Sequence, residues 1–451
     1  MKPSVAISIA REKQLIKLLM TYLSTGLLFM VLPGTFLGVW NLFEISSAQS
    51  ASSVPAAWLQ AHGHAQLFGW IGSFILGIGF YSIPNLRRIS PWSFWEGWLA
   101  WALWTAGVLL RWIADVYLWQ WMILLPLSAA LELLAATVFI MRSIEGHRMQ
   151  REKKGSIEPW GVLVIGGTIG LLVTLGFNAF ESFTLAAIGA SPAFPELFNS
   201  RFLILAIWSF PVPVAWGFTA HWMPAFLGLK PLKSNLILLG FALNTVGIAT
   251  ALAAQLLVGS LILLLGTLLT IMGLRIIEPS EKPAKTQGVH RSFPAFMRIA
   301  YAWLLIASLI AVWAALEPTS LGIGGAGRHA LTVGFLMTMV FTVAPRILPA
   351  FLGRKKLFSE NLMFFALLLT NLGCLLRVSS EIIAYQNYAS WAWLLLPISA
   401  TLELTGVILF TINLIGTLRE RPLLEEAKCG GVEPTGPSSD AQGKTNRDGE
   451  R

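Results

Sequence analysis

The chain has 451 residues, of which 55% are hydrophobic and 12% are charged. Soluble domains carry about 25% charged residues, so this composition excludes an ordinary soluble globular protein. The formal charge of +9 does not indicate a nucleic-acid partner, because the basic residues lie in short loops between apolar segments. The two cysteines, Cys374 and Cys429, are too few for a disulfide framework or a thiolate metal cluster.

Apolar segments of helical length follow one another along the chain and predict an all-α polytopic membrane protein with about twelve transmembrane helices. The first segment is too long for the core of a signal peptide and lacks a clear cleavage site, so we interpret it as a membrane helix. A very tight turn at Gln255 separates the seventh span from the eighth. The predicted spans are 15–43, 58–84, 94–113, 119–141, 160–188, 199–227, 234–253, 256–277, 297–316, 327–349, 361–385 and 390–417.

The placement of the basic residues predicts the orientation in the membrane. In the twelve-span arrangement, all but four of the 32 Lys and Arg residues lie on the side that holds both termini. The positive-inside rule makes this side cytoplasmic, so we predict a bacterial inner-membrane protein with both termini in the cytoplasm. Residues 419–451 are polar and have few apolar groups, which predicts a disordered cytoplasmic tail after a membrane domain at 1–418.

An internal repeat relates the beginning and the end of the membrane domain. The sequence LLPLSAALEL at 124–133 returns as LLPISATLEL at 395–404, and PAFLG occurs at both 224–228 and 349–353. Three four-helix units in a pseudo-threefold arrangement explain these echoes, with bounds near 15–142, 160–277 and 297–418. Further matches join Arg111 to Arg377, Asp115 to Glu381 and His64 to His329.

Three histidines lie near the same membrane surface and are candidate metal ligands. His62 and His64 begin the second helix, and His329 begins the tenth, which runs in the same direction. Imidazole is a common axial ligand of haem iron, and apolar walls are abundant here. Because residues two apart on a helix point about 200° apart, His62 and His64 cannot readily hold one metal, and the sequence does not say which pairs with His329. Each could instead make an interhelical hydrogen bond.

Four arginines and two glutamates complete the candidate site. The arginines lie on the same side as the three histidines and could bind haem propionates, snorkel to the interface or form salt bridges. The glutamates lie near the middle of their helices, where a carboxylate marks either a proton path or a shared packing role. These residues are Arg111, Arg201, Arg328, Arg377, Glu132 and Glu403.

The remaining histidines are predicted to have other roles. His147 and His290 lie in charged loops, where solvated side chains are expected. His221 lies near the opposite end of the sixth helix, too deep to share a site with His62 or His64, and a structural role is expected for it.

The motif HGHAQLFGW at 62–70, followed by GIGFYSIPN at 77–85, resembles the second helix of the haem-copper oxidase catalytic subunit. Twelve helices in a pseudo-threefold arrangement resemble the same superfamily. Within it, HALTVG at 329–334 and RILPAFLGR at 346–354 are most similar to the NnrS family, whose members are haem-containing membrane proteins linked to nitric oxide and nitrosative stress. The resemblance implies haem ligation by His62 or His64 and by His329.

The chain departs from the oxidases in its histidines. The HPEVY motif and the following histidine pair are missing from the sequence, and the tenth helix carries only His329. A complete oxygen reductase is therefore not expected, and copper is possible but has no support.

We therefore expect one or two haems and a role in binding or processing nitric oxide, with an unknown electron donor and a possible oxidoreductase activity. A proton-linked transporter without haem is the alternative, although four-helix units cannot invert and no pair of broken helices is evident. A third reading is a cofactor-free assembly partner.

Overall fold

The computed structural model describes residues 3–87, 94–154, 158–317, 321–354 and 357–419. In these residues the secondary structure is helical and no strand occurs. The predicted tail beyond residue 419 lies outside the described residues, and the side chain of His147 is not described.

Twelve helices in the described part are long and apolar enough to cross a membrane, as predicted. All twelve begin and end within a few residues of the predicted limits, and Gln255 lies in the turn between the seventh and the eighth. Because the number of spans is even, α1 begins on the side where α12 ends, which we call the terminal side. The helices are α1 Arg11–Ala48, α2 Ala56–Ile83, α3 Trp95–Tyr117, α4 Trp121–Ser143, α5 Pro159–Ile188, α6 Glu196–Leu227, α7 Ser234–Leu252, α8 Leu256–Leu274, α9 Phe293–Leu316, α10 Gly322–Phe351, α11 Glu360–Tyr385 and α12 Ala392–Arg419.

Three helices are much more enclosed than the others. Within the most apolar stretch of each helix, the buried share is 89% in α2, 72% in α6 and 78% in α10. In the other nine helices this share is 33% to 50%. These three are the second helices of the predicted four-helix units. They form the centre of the bundle, and the others present apolar side chains outward, as lipid-facing helices do.

We call the side opposite the terminal side the far side. Each central helix becomes irregular soon after it enters the membrane from the far side. α2 is π-helical over Ala65–Gly72 and α10 over Ala330–Met337, in each case directly after a histidine. α6 is interrupted at Phe210, before Pro211. When the two PAFLG sequences are aligned, Phe210 corresponds to a residue in the π segment of α10. π-Helical turns occur mostly at functional sites, which directs attention to these segments.

The first and third units pack in the same way where α3 meets α4 and α11 meets α12. A Cβ atom added to Gly107 would lie 2.6 Å from Cγ of Glu132, and one added to Gly373 would lie 2.6 Å from Cγ of Glu403. Both helix pairs therefore use a glycine to let a glutamate pass close to the neighbouring backbone.

The middle unit keeps this packing without the charges. Gly240 on α7 lies midway in the sequence between Gly107 and Gly373. It directly contacts Thr270 on α8. The repeat alignment places Asn244 where the other units have arginine, and Ile204 where they have His64 and His329. The middle unit thus has the same helix pairing with a neutral set of side chains.

Candidate functional site

The structure brings the predicted site residues into two groups near the far side. The first, called the His64 cluster, contains His64, Arg111, Asp115 and Glu132. The second, called the His329 cluster, contains His62, Arg328, His329, Arg377 and Glu381. They correspond to the first and third repeat units, except that His62 has joined the second group.

The His64 cluster consists of two short polar contacts between buried side chains. Nε2 of His64 lies 2.7 Å from Oε1 of Glu132, and the two side chains are 6% and 0% exposed. Nε of Arg111 donates to Oδ2 of Asp115 at 2.6 Å, with exposures of 2% and 0%. Because the carboxylate of Glu132 occupies Nε2 of His64, this nitrogen is not free to bind a metal.

A loop on the far side covers the Arg111 guanidinium. Arg111 also donates to Oδ1 of Asn178 at 3.3 Å, and its guanidinium lies 4.4 Å from the centroid of the Phe194 ring. Gln60 holds Phe194 in place, since its side chain donates to the Phe194 carbonyl at 2.9 Å and accepts from its N–H at 2.7 Å. Of the three readings of Arg111, the salt bridge is the one that this geometry matches.

His62 is oriented by α1. Its Nδ1 lies 2.9 Å from the carbonyl oxygen of Gly34, within the π-helical segment Met30–Phe36 that also contains Pro33. A carbonyl only accepts hydrogen bonds, so Nδ1 carries the proton and the lone pair of Nε2 remains free. The ring lies directly against Gly38, where an added Cβ would be 2.5 Å from Cε1 of His62.

His329 is held in a similar way. Its Nδ1 lies 3.2 Å from the carbonyl oxygen of Gly325 and 3.7 Å from Oε2 of Glu381, which is itself 3.4 Å from a terminal nitrogen of Arg377. The carbonyl again places the proton on Nδ1 and leaves Nε2 as a free donor for a metal. His62 and His329 are close enough to interact electrostatically. His62, rather than His64, is therefore the neighbour of His329 that has a free nitrogen.

Open space lies beside glycines next to these imidazoles in the sequence. The side chain of His329 is 26% exposed. A Cβ added to Gly63 would meet no atom within 4 Å, and one added to Gly324 would approach only Arg328, at 3.5 Å. Arg328 is also exposed at this depth, and no carboxylate in the described residues forms an ion pair with it. The space is lined by glycine, imidazole and guanidinium groups.

His62 and His329 are the residues that could hold a haem iron. Metal-binding histidines usually donate their second ring nitrogen to a carbonyl or carboxylate, as both His62 and His329 do. Arg328 and Arg377 supply cationic groups for propionates. In the described part of the chain, no group of three or more His, Cys, Asp or Glu side chains could together hold a metal ion, so the candidate ligands are a pair.

Of the remaining predicted residues, one lies beside the His329 cluster. Arg201 is half-buried and makes no ion pair with another described residue. Glu403 interacts electrostatically with Arg377 and Glu381, so it lies next to the His329 cluster. His221 packs between Trp160 and Trp222 toward the terminal side, with ring centroids at 4.7 and 5.7 Å.

His290 and Cys374 have ordinary structural contacts. Nδ1 of His290 lies 2.7 Å from the hydroxyl of Ser292, and its ring packs on Phe364. The thiol of Cys374 is buried and lies 3.8 Å from the carbonyl oxygen of His329.

Sequence reasoning missed the contribution of α1. Gly34 and Gly38 are one helical turn apart, a spacing of small residues that commonly marks close helix contact and was readable from the sequence. Gln66 was quoted only within a motif, yet its side chain donates to the hydroxyl of Thr35 at 2.8 Å and so joins α2 to the same segment. A buried amide of this kind has no sequence signal of its own.

Substituting Gly38 by alanine tests whether α1 orients His62. The new methyl group would overlap the imidazole, so we expect His62 to move and the ligand-binding properties of the site to change. If the chain holds haem through His62, the optical and electron paramagnetic resonance spectra should shift from low-spin to high-spin iron. Gly176→Ala is the matched control, because its methyl group would meet no atom within 4 Å. Identical spectra for both variants would contradict this role for α1.

Comparison with known proteins adds little about chemistry. The family described as Domain of unknown function (DUF8744) matches residues 207–415, which run from the middle of α6 to near the end of α12. That segment contains His329, Arg377 and Glu381 but does not include α1 or α2. No curated protein matches the chain.

Proposed function

We propose that the chain is a haem-binding membrane protein that binds or processes nitric oxide, and that His62 and His329 are the residues that would hold the haem iron. The observation that carries the proposal is a pair of neighbouring imidazoles, each with Nδ1 bound to a backbone carbonyl and Nε2 free. The resemblance of these segments to the NnrS family supports the same reading.

The proposal assigns one haem to each chain. His64 is the repeat counterpart of His329, but Glu132 occupies its Nε2 at 2.7 Å and the pair is almost fully buried. The His329 cluster, by contrast, has exposed imidazole and guanidinium surface beside open space. A second haem on His64 would require the breaking of this buried hydrogen bond, which is costly.

The chain's own residues orient the cofactor and limit access to it. The carbonyl oxygens of Gly34 and Gly325 fix the two ring tautomers, and Glu381 lies 3.4 Å from Arg377, whose guanidinium would bind a propionate. Bound haem would supply an iron atom for nitric oxide, which would have to take the place of either His62 or His329 on the iron. Nitric oxide is small and apolar, so it can reach a site enclosed by lipid-facing helices without a polar channel.

The orientation follows from the basic residues. We propose that the terminal side faces the bacterial cytoplasm, because all but four of the 32 Lys and Arg residues lie there in the twelve-helix topology. The His329 cluster then lies toward the periplasmic face of the inner membrane.

The optical spectrum of the purified protein tests this proposal. In detergent, after expression in haem-replete cells, we expect a Soret band, sharp reduced bands with dithionite and one haem per chain by pyridine haemochrome. Nitric oxide should then shift the reduced bands. A featureless spectrum would overturn the haem assignment, and uptake assays in vesicles would then test the transporter alternative. Two haems per chain would overturn the exclusion of His64.

A further inference from the structure

The two imidazoles of the candidate site are held by different kinds of hydrogen bond. Nδ1 of His62 lies 2.9 Å from the carbonyl oxygen of Gly34, which belongs to another helix, α1. Nδ1 of His329 lies 3.2 Å from the carbonyl oxygen of Gly325, which belongs to the same helix, four residues earlier. A bond within one helix does not tie a ring to the rest of the bundle. His62 is therefore anchored across two helices, and His329 is not.

The carbonyl oxygen of Gly325 is also shared. Residues 321–329 are α-helical, and in an α-helix the backbone N–H of His329 donates to the carbonyl four residues earlier, which is this same oxygen. The other neighbour of the ring is Glu381 on α11, whose Oε2 lies 3.7 Å from Nδ1, beyond the usual limit of about 3.2 Å for a hydrogen bond. Glu381 thus acts on His329 through its charge and not through a directed bond.

Packing strengthens the hold on His62. A Cβ added to Gly38 would lie 2.5 Å from Cε1 and 2.8 Å from Nδ1, so one edge of the His62 ring lies against the backbone of α1. Two residues before His62, Gln60 is bound twice to the backbone of the loop between α5 and α6. Four residues after it, Gln66 donates to the hydroxyl of Thr35. The turn of α2 that carries His62 is therefore fastened on both sides.

His329 lies where the hydrogen-bonding pattern of its helix changes. It is the last α-helical residue before the π-helical segment Ala330–Met337, and its side chain is 26% exposed. A π turn adds one residue to a turn of helix, so a small shift of this boundary changes the direction of the side chain there. His62, by contrast, lies inside the α-helical segment Ala56–His64. His329 has both the weaker hold and a part of its surface without contacts.

We propose that His329 is the imidazole that gives way to nitric oxide, while His62 remains as the fixed ligand. This inference rests on the proposed haem function and deepens it by naming the ligand that nitric oxide replaces. The exchange needs no further reactant. The bond from Nε2 of His329 to the iron breaks, nitric oxide takes that position, and the imidazole keeps its Nδ1 proton and leaves as a neutral group.

Ring dynamics in the haem-free protein test the unequal hold. The chain has six histidines, which can be labelled with ¹³C at Cε1, and His62→Ala and His329→Ala assign the two signals. We expect a relaxation-dispersion contribution from microsecond to millisecond motion that is at least about threefold larger for His329 than for His62. Gly38→Ala removes the surface on which His62 rests and should raise its contribution toward that of His329. An equal or larger contribution for His62 in the wild-type protein would overturn the inference.

The rate of nitric oxide binding tests the consequence. Glu381→Gln keeps the size of the side chain but removes the negative charge that strengthens His329 as a donor, so nitric oxide should bind several-fold faster. Glu278→Gln is the matched control, because this glutamate also lies beside an arginine, 3.6 Å from Arg275, but on the terminal side. Its rate should equal that of the wild type. Equal rates in both variants would overturn the assignment of His329.

The outcomes separate this inference from the proposed function. A haem spectrum together with equal ring dynamics of His62 and His329 would overturn the inference alone. A featureless haem spectrum would overturn the proposed function, and with it the role of His329 toward nitric oxide, whatever the ring dynamics show.

Discussion

His329→Ala is expected to abolish stable haem binding, with the Soret absorbance per chain falling to the background of the purified protein. The substitution removes one of the two imidazoles whose Nε2 is free and leaves no other histidine of α10 to replace it. Under the proposed ligation, the variant would keep only one of the two imidazoles that would hold the haem iron. The measurement is the haem-to-protein ratio by pyridine haemochrome after purification in detergent.

His64→Ala is the control for this result. It removes an imidazole two residues from His62 that is bound to Glu132, so the haem content should stay near the wild-type value. His62→Ala should behave like His329→Ala or give a high-spin spectrum with weaker retention. Loss of haem in His64→Ala together with its retention in His62→Ala would reverse the ligand assignment.

Asp115→Leu is expected to destabilise the protein by about 3–5 kcal/mol, because it leaves the buried guanidinium of Arg111 without its anion. Both side chains of the pair are nearly inaccessible, and the bond between them is 2.6 Å long. The amide of Asn178 and the ring of Phe194 remain as neighbours but do not neutralise the charge. Steric trapping in bicelles measures the free energy of unfolding directly.

Two comparisons decide whether burial causes this loss. The double variant Arg111→Leu with Asp115→Leu should recover most of the stability, because replacing both partners removes the uncompensated charge. Glu278→Ala should cost about 1 kcal/mol or less, because its contact with Arg275 is 3.6 Å long and the glutamate is 37% exposed. A double variant as unstable as Asp115→Leu alone would contradict the argument.

The membrane topology was predictable because it depends on composition over long windows. Twenty consecutive apolar residues leave few alternatives to a helix in lipid, so the twelve spans could be predicted within a few residues of their observed limits. The alternation of basic loops also tested the number of helices, since one missed helix would have scrambled it.

The pairing within the site was not predictable from spacing alone. The sequence placed His62, His64 and His329 at one depth but could not assign partners, because helix rotation and the π segments of α1, α2 and α10 decide which ring meets which neighbour. A π turn inserts one residue and changes the direction of every side chain near it. No sequence pattern marked those turns, apart from Pro33 within α1.

The surroundings of the arginines were also not predictable from the sequence. Arg111 and Arg377 match in sequence and each has an acid four residues later, yet their surroundings differ. Phe194, fastened by Gln60, closes over Arg111. Arg377 instead lies in the group that contains His62, a contact between the first and third units that no repeat alignment contains.

The neutral middle unit can be compared directly with the two outer units. It keeps the glycine-mediated contact between α7 and α8 with Thr270 in place of a glutamate, and with Asn244 and Ile204 in place of arginine and histidine. The middle unit therefore forms the same helix contact without these charged and imidazole side chains. The side chains in the outer units are not needed for that contact, so they are the ones for which a chemical role remains to be assigned.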